Sequence, residues 1–103
     1  MSTMQAVVAD PNSAERLVIR DVPAPSPAPF EALVRVAAIS LNRGETRGAF
    51  QSEVPWQPGW DAAGVVEQPA ADGSGPPAGA RVVGIIPNGA WAQQVAIPTF
   101  HRI

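Results

Sequence analysis

Proline and glycine are the residues that most constrain how this chain can fold. Twelve prolines and nine glycines interrupt the 103-residue sequence about once every five residues. Proline fixes φ and lacks a backbone donor, and glycine weakens helices, so this density leaves little length for helices. The runs between these breaks are rich in valine, isoleucine and alanine. The pattern therefore predicts short β-strands joined by turns.

Six segments have the patterns of strands. The clearest runs from Glu31 to Ile39, where side chains alternate with the two-residue period of a strand. The alternation predicts an apolar face made of Ala32, Val34, Val36 and Ala38. The other five strands are predicted over Gln5 to Ala9, Arg16 to Val22, Ala62 to Glu67, Arg81 to Ile86 and Trp91 to Ile97.

Turn-forming residues lie between the last two predicted strands, at Pro87-Asn88-Gly89. Proline presets φ for a turn, and an Asn-Gly pair tolerates positive φ. This chemistry predicts that Arg81 to Ile86 and Trp91 to Ile97 form a hairpin.

One segment, Asn42 to Phe50, has a helical pattern. Gly44 and Gly48 weaken it, so one or two turns are expected. We therefore predict a mainly β fold, in which residues 1–103 form a single domain. Its architecture is a small, partly open β-barrel with one short helix.

The composition excludes several kinds of chemistry. The chain has no cysteine, so disulfides, thiolate metal sites and a cysteine nucleophile are excluded. The one histidine, His101, stands near the end and is interpreted as an exposed tail residue. The seven basic residues are scattered arginines and the net charge is −2, which argues against nucleic-acid binding. No apolar run approaches the roughly 20 residues of a membrane span, and a cytoplasmic location is expected.

Five short motifs occur in an order that resembles one family. The resemblance is to the N-terminal GroES-like domain of the medium-chain dehydrogenase/reductase superfamily, the alcohol dehydrogenases and quinone oxidoreductases. It covers nearly the whole chain and implies the GroES-like barrel. The motifs are Met4 to Val8, Glu31 to Asn42, Pro58 to Val66, Gly79 to Gly84 and Gly89 to Val95.

Within that superfamily the sequence is similar to the zinc-independent, quinone oxidoreductase-like branch. Zinc-dependent members have a cysteine ligand where Asn42 stands and a histidine ligand where Trp60 stands. A catalytic zinc needs three nitrogen, sulfur or carboxylate ligands, which Asn42 and Trp60 cannot supply. We therefore expect no metal ligand here. We also expect no catalytic side chain, because hydride transfer needs orientation rather than a protein nucleophile.

The resemblance implies a function that this chain shares with a second domain. Enzymes of the branch reduce quinones or activated enones with NADPH, in a cleft between a GroES-like domain and a Rossmann domain. The Rossmann domain is absent from this chain, and no G-x-G-x-x-G motif occurs in it. The isolated chain is therefore expected to bind no NADPH and to be inactive.

Asn42 is the candidate cofactor-binding residue. It resembles the asparagine that faces the nicotinamide end of NADPH in that branch, and a carboxamide donates and accepts hydrogen bonds without adding charge. The alternative is that Asn42 only caps the following helix. Arg43, Glu45 and Arg47 are interpreted as a solvated charged turn, or as a segment from which one arginine reaches the cleft.

Three aromatic residues are candidates for the substrate pocket. Trp60 either lines the pocket or fills the core, with Asp61 paired to an arginine. Phe50 and Trp56 flank a loop that borders the cleft in the family, which suggests an aromatic wall for a flat quinone. Trp91 is interpreted as a buried residue whose indole N–H needs a partner.

Two classes of function remain open from the sequence. One is the substrate-side domain of an NADPH-dependent oxidoreductase. The other is a non-catalytic GroES-like module that binds a partner or self-associates, as in a homodimer, through open strand edges.

Overall fold

Our computed structural model describes residues 2–99, which contain six strands and one short helix. His101, predicted to be an exposed tail residue, lies outside these residues. The mainly β prediction is confirmed, and most bounds agree with the sequence patterns to within two residues. In chain order, the elements are β1 (Thr3–Ala9), β2 (Leu17–Pro23), β3 (Glu31–Ile39), α1 (Arg43–Gln51), β4 (Asp61–Gln68), β5 (Arg81–Ile85) and β6 (Gln94–Pro98).

The strands form two antiparallel sheets that are joined through β1. One sheet is the hairpin β1-β2, and the other has the order β5-β4-β3-β6. On its second edge, β1 contacts residues 91–93, where the Val7 N–H donates to the Trp91 carbonyl at 2.8 Å and Gln93 N–H to the Gln5 carbonyl at 3.1 Å. The smaller sheet therefore joins the larger one, and the partly open barrel is confirmed.

The core lies on the inner face of the larger sheet. Trp91 is 5% exposed within it, and its indole Nε1 donates to the Ser40 carbonyl at 3.2 Å. Burial of Trp91, with a partner for its N–H, is therefore confirmed. The buried core residues are Ala32, Val34, Ala62, Val66, Ile86, Ala90, Trp91, Val95 and Ile97.

The predicted apolar face of β3 ends earlier than its alternation indicates. Ala32 and Val34 are buried and Val36 is half-buried, but Ala38 is exposed. The pairing of β3 with β4 shifts register between Val36 and Ala38. An extra residue at a bulge reverses which side chains face the core, so the prediction was wrong for Ala38.

The predicted hairpin between β5 and β6 is wrong. β5 pairs with β4 and β6 pairs with β3, so they are the two edges of the larger sheet. Residues 86–91 instead bond to residues 57–60, through contacts such as Gly89 N–H to the Gln57 carbonyl at 2.9 Å. Gly89 does have the expected positive φ, 90°. The turn chemistry was interpreted correctly, but long-range backbone pairing decides the direction of the chain.

The helix α1 begins after a three-residue connection from β3 and brings the candidate residues toward the start of β4. It has nine residues, Arg43–Gln51. No helix within residues 2–99 is long and apolar enough to cross a membrane.

Candidate functional site

Asn42 is the N-cap residue of α1, with φ −85° and ψ 148°. Its carbonyl accepts hydrogen bonds from the Thr46 N–H and the Thr46 hydroxyl, both at 3.0 Å. Its side-chain Nδ2 lies 3.5 Å from the Ser40 hydroxyl oxygen, so the carboxamide is held only weakly. The half-buried carboxamide also faces the backbone N–H of Glu45 in a capping box, so its oxygen is partly engaged, while its NH₂ group keeps most of its capacity to donate hydrogen bonds.

Glu45 is buried, which corrects its interpretation as part of a solvated charged turn. Its side chain is among the largest fully buried ones, at 1% exposure. One carboxylate oxygen accepts a hydrogen bond from the backbone N–H of Asn42 at 2.8 Å, and the other accepts one from the backbone N–H of Trp60. Arg43 and Arg47 are exposed, as expected for that turn. The acid of this segment therefore has a different role from its two arginines.

Trp60 lies against the first turn of α1. A Cβ built on Gly44 would be 2.8 Å from Cη2 of the Trp60 ring, so the ring occupies space that only glycine leaves open. The residue is nevertheless 40% exposed. The core-filling alternative for Trp60 is therefore wrong, and one part of the indole remains available to a ligand.

Trp56 packs against the same side of α1, one turn further along. Its Cζ2 atom is 3.8 Å from a Cβ built on Gly48, and its backbone pairs with Ala9 through hydrogen bonds of 2.8 and 3.1 Å. Residues four apart on a helix share a face, so Gly44 and Gly48 seat the two tryptophans side by side. The helix surface thus brings together two of the three predicted aromatic residues.

Phe50 is placed differently from the two tryptophans. It is 48% exposed, and it lies two residues after Gly48, which puts it on another side of α1. Its carbonyl accepts hydrogen bonds from the Arg16 guanidinium at 2.7 and 3.1 Å. Arg16 also donates to the Ser52 carbonyl at 2.9 Å, so it fixes the end of the helix.

Ser40 connects the end of β3 to the start of β4. Its hydroxyl donates a short hydrogen bond to the Asp61 carboxylate, and its carbonyl accepts the Trp91 indole N–H. The arginine partner expected for Asp61 is therefore replaced by a serine. Glu45 and Ser40 are the residues that sequence reasoning missed, although the spacing of Asn42 and Glu45 is that of a capping box.

Two cavities lie away from most of these residues, and of the three predicted aromatic residues Trp56 alone lines one of them. One, of about 990 Å³, is open and is lined by residues of the larger sheet and by residues 74–76. The other, of about 490 Å³, is lined by Arg20, Trp56 and Asn88 among others. Beside the second cavity, Arg20 forms an ion pair with Asp10. Hydrogen bonds from the Asn12 N–H, which has the larger effect, and from the Arg20 guanidinium lower the pKa of Asp10. Neither cavity is lined by Asn42, Phe50 or Trp60.

Residues 28–101 match the family described as the alcohol dehydrogenase GroES-like domain. Over 96 residues the chain is 35% identical to a protein called "Probable quinone oxidoreductase" from Schizosaccharomyces pombe, covering 86% of this chain and 28% of that protein.

Two solved structures have the same fold. A probable oxidoreductase from Mycobacterium abscessus superposes with a TM-score of 0.82 at 32% identity, over 97% of this chain and 34% of that one. A quinone oxidoreductase from Thermus thermophilus, whose structures include a complex with NADPH, superposes with a TM-score of 0.73 at 28% identity, over 97% of this chain and 32% of that one. The chain thus spans about a third of the length of these proteins.

Proposed function

The chain belongs to the family of alcohol dehydrogenase GroES-like domains, and on that premise we propose that it is the substrate-side domain of an NADPH-dependent oxidoreductase. The substrates are quinones or activated enones, reduced by hydride transfer. The quinone oxidoreductase relatives support this activity. The observation that carries the proposal is that Asn42 and Trp60, distant in sequence, are joined through one buried carboxylate.

Each candidate residue has a distinct role in this proposal. NADPH, when bound by a nucleotide-binding domain outside these residues, supplies the hydride. The Asn42 carboxamide donates and accepts hydrogen bonds at the nicotinamide end, without adding charge beside the hydride donor. Trp60 and Trp56 supply the aromatic wall for a flat substrate, and Phe50, on another side of α1, is the third candidate substrate contact.

The donor set does not fit a catalytic zinc ion. An indole N–H only donates hydrogen bonds, and a carboxamide is a poor ligand for zinc beside thiolate and imidazole. Among residues 2–99 there is also no cluster of three histidine, cysteine or acidic side chains that could hold a metal. We therefore propose that the reaction proceeds without zinc, and that substrate polarisation comes from hydrogen bonds.

The test of this function is an assay of a protein that joins this chain to its nucleotide-binding domain. We expect NADPH oxidation that depends on an added quinone or enone and is unchanged by a strong zinc chelator. Residues 1–103 alone are the control and should neither bind NADPH nor support turnover. Absence of quinone- and enone-dependent oxidation would contradict the activity. Loss of activity with the chelator, restored by zinc, would contradict the zinc-free reaction.

Substitution of Asn42 separates a role at the cofactor from a role in capping. A hydrogen bond to the cofactor is worth about 0.5–1.5 kcal/mol, so Asn42→Ala should lower kcat/KM about 2- to 12-fold. Serine caps a helix about as well as asparagine but is too short to reach the cofactor. We therefore expect Asn42→Ser to keep its melting temperature and still lose kcat/KM. If Asn42→Ser leaves both quantities unchanged, Asn42 does not belong to the site.

A further inference from the structure

We propose that Glu45 is a positioning residue, which holds Asn42 and Trp60 at a fixed separation through the two oxygens of its buried carboxylate. The inference rests on the proposed function for its consequence in turnover, but its geometry is independent of it. Glu45 Oε1 accepts a hydrogen bond from the backbone N–H of Asn42 at 2.8 Å, and Oε2 accepts one from the backbone N–H of Trp60. Each oxygen thus serves one of the two candidate residues.

Helix capping explains only half of this arrangement. An acidic residue at the third helical position that reaches back to the N-cap N–H is half of a capping box. The second contact joins Glu45 to Trp60, 15 positions away in sequence and outside both α1 and its capping box. It joins the first turn of α1 to the residue that precedes β4. A cap alone needs one carboxylate oxygen, and here both are used.

The Glu45 carboxylate is buried, and burying a charged group costs free energy unless its hydrogen-bonding partners are well placed. Glu45 is 1% exposed, and within residues 2–99 no arginine lies within salt-bridge distance of it. A carboxylate without a cation is expensive to bury unless hydrogen bonds and local dipoles compensate it. Two backbone N–H donors and the N-terminal end of α1 supply that compensation here. The same two donors then have little freedom to move.

The Trp60 ring is fixed from a second direction. A Cβ on Gly44 would lie 2.8 Å from Cη2, so the indole rests directly on the helix backbone. Backbone and ring of Trp60 are therefore both held to the first turn of α1, next to Asn42. Hydride transfer depends steeply on alignment of the two reactants, and displacements of about 1 Å are costly. Glu45 accordingly sets the distance between the cofactor side and the substrate side of the site.

Glu45→Gln breaks this link selectively. Glutamine has nearly the same shape and still serves in a capping box, so α1 should remain. Its amide has one oxygen and one NH₂ group, and the NH₂ group cannot accept an N–H. One of the two contacts is lost whichever way the amide turns. The matched control is Glu31→Gln, because Glu31 accepts the Ala28 N–H at 2.8 Å at a turn away from α1.

The experiment uses the whole protein that carries this chain, labelled with ¹⁵N-tryptophan, with the Trp60 amide assigned by its loss in Trp60→Phe. In Glu45→Gln we expect a changed amide shift and about tenfold faster hydrogen exchange at Trp60, and about tenfold lower kcat/KM for a quinone, measured well below the melting temperature. Glu31→Gln should leave both within about twofold. Released amide with unchanged kcat/KM would show a purely structural contact and overturn the proposal.

A measurement on the unsubstituted protein decides the geometry even if Glu45→Gln fails to fold. The Trp60 amide should be protected from exchange, although its side chain is exposed, because a buried carboxylate accepts it. Exchange at the rate of a free loop overturns the proposal. If the unsubstituted protein reduces no quinone or enone, the proposed function fails separately, and the Trp60 amide alone then supports or overturns the role of Glu45.

Discussion

Replacing Gly64 with alanine is expected to lower the unfolding free energy by about 3 kcal/mol, among the largest single effects in this fold. Gly64 lies in the middle of β4, opposite Val36 on one side and Val82 on the other. A Cβ there would be 2.0 Å from the Arg35 carbonyl oxygen and 2.9 Å from its carbon. These are backbone atoms of a paired strand, so relief requires β3 and β4 to separate locally.

The measurement is thermal unfolding followed by circular dichroism, where about 3 kcal/mol corresponds to a fall of about 12–24 °C for a domain of this size. Gly48→Ala is the matched control, because its Cβ would meet only the Trp56 ring, at 3.8 Å. Alanine in a helix is more stable than glycine by about 0.5–1 kcal/mol, so this variant should melt higher. A Gly64→Ala protein as stable as Gly48→Ala would contradict the close approach of β3 to β4.

Local patterns predicted the elements of this fold because each depends on a few neighbouring residues. The strand from Glu31 onward and the short helix after Asn42 are such elements, and the existence of both was confirmed. The hairpin failed because a turn signal states only that the chain turns. Which backbone receives residues 86–91 depends on the path of residues 57–60, far away in sequence. The bulge near Ala38 likewise follows from pairing with β4, which local periodicity does not contain.

In the candidate site, too, the features set by neighbouring residues could be predicted and those set by long-range contacts could not. Asn42 and Trp60 were identified through a resemblance, and the geometry gives them a physical connection that the motifs do not contain. The spacing of Asn42 and Glu45 could have predicted a capping box. The contact of Glu45 with the Trp60 N–H could not be predicted, because it needs the approach of β4 to α1. The seating of Trp60 on Gly44 needs the same approach, although glycines four apart on a helix were visible.

Replacing Trp91 with alanine is expected to cost about 3–5 kcal/mol of unfolding free energy. Trp91 is 5% exposed and belongs to the main core cluster. Its carbonyl also accepts the Val7 N–H at 2.8 Å, at the line where β1 joins the larger sheet. Alanine would leave a cavity at this junction. Trp91→Phe should cost about 1–2 kcal/mol, because it keeps most of the apolar contact but loses the hydrogen bond to the Ser40 carbonyl.

Trp60→Ala is the matched control for Trp91, since it removes the same side chain from a position that is 40% exposed. Surface that remains in contact with water contributes nothing to folding, so by buried area this loss should be about two-thirds of that of Trp91→Ala. It should fall somewhat further, because a half-exposed site leaves no enclosed cavity. Urea denaturation of the three variants measures the difference in unfolding free energy, provided that the dependence of that free energy on urea concentration is the same for each. Equal losses for Trp91→Ala and Trp60→Ala would contradict the placement of Trp91 in the core. A large loss for Trp91→Ala alone would mean that the buried side chain at the sheet junction contributes more to the stability of the barrel than the half-exposed Trp60 side chain does.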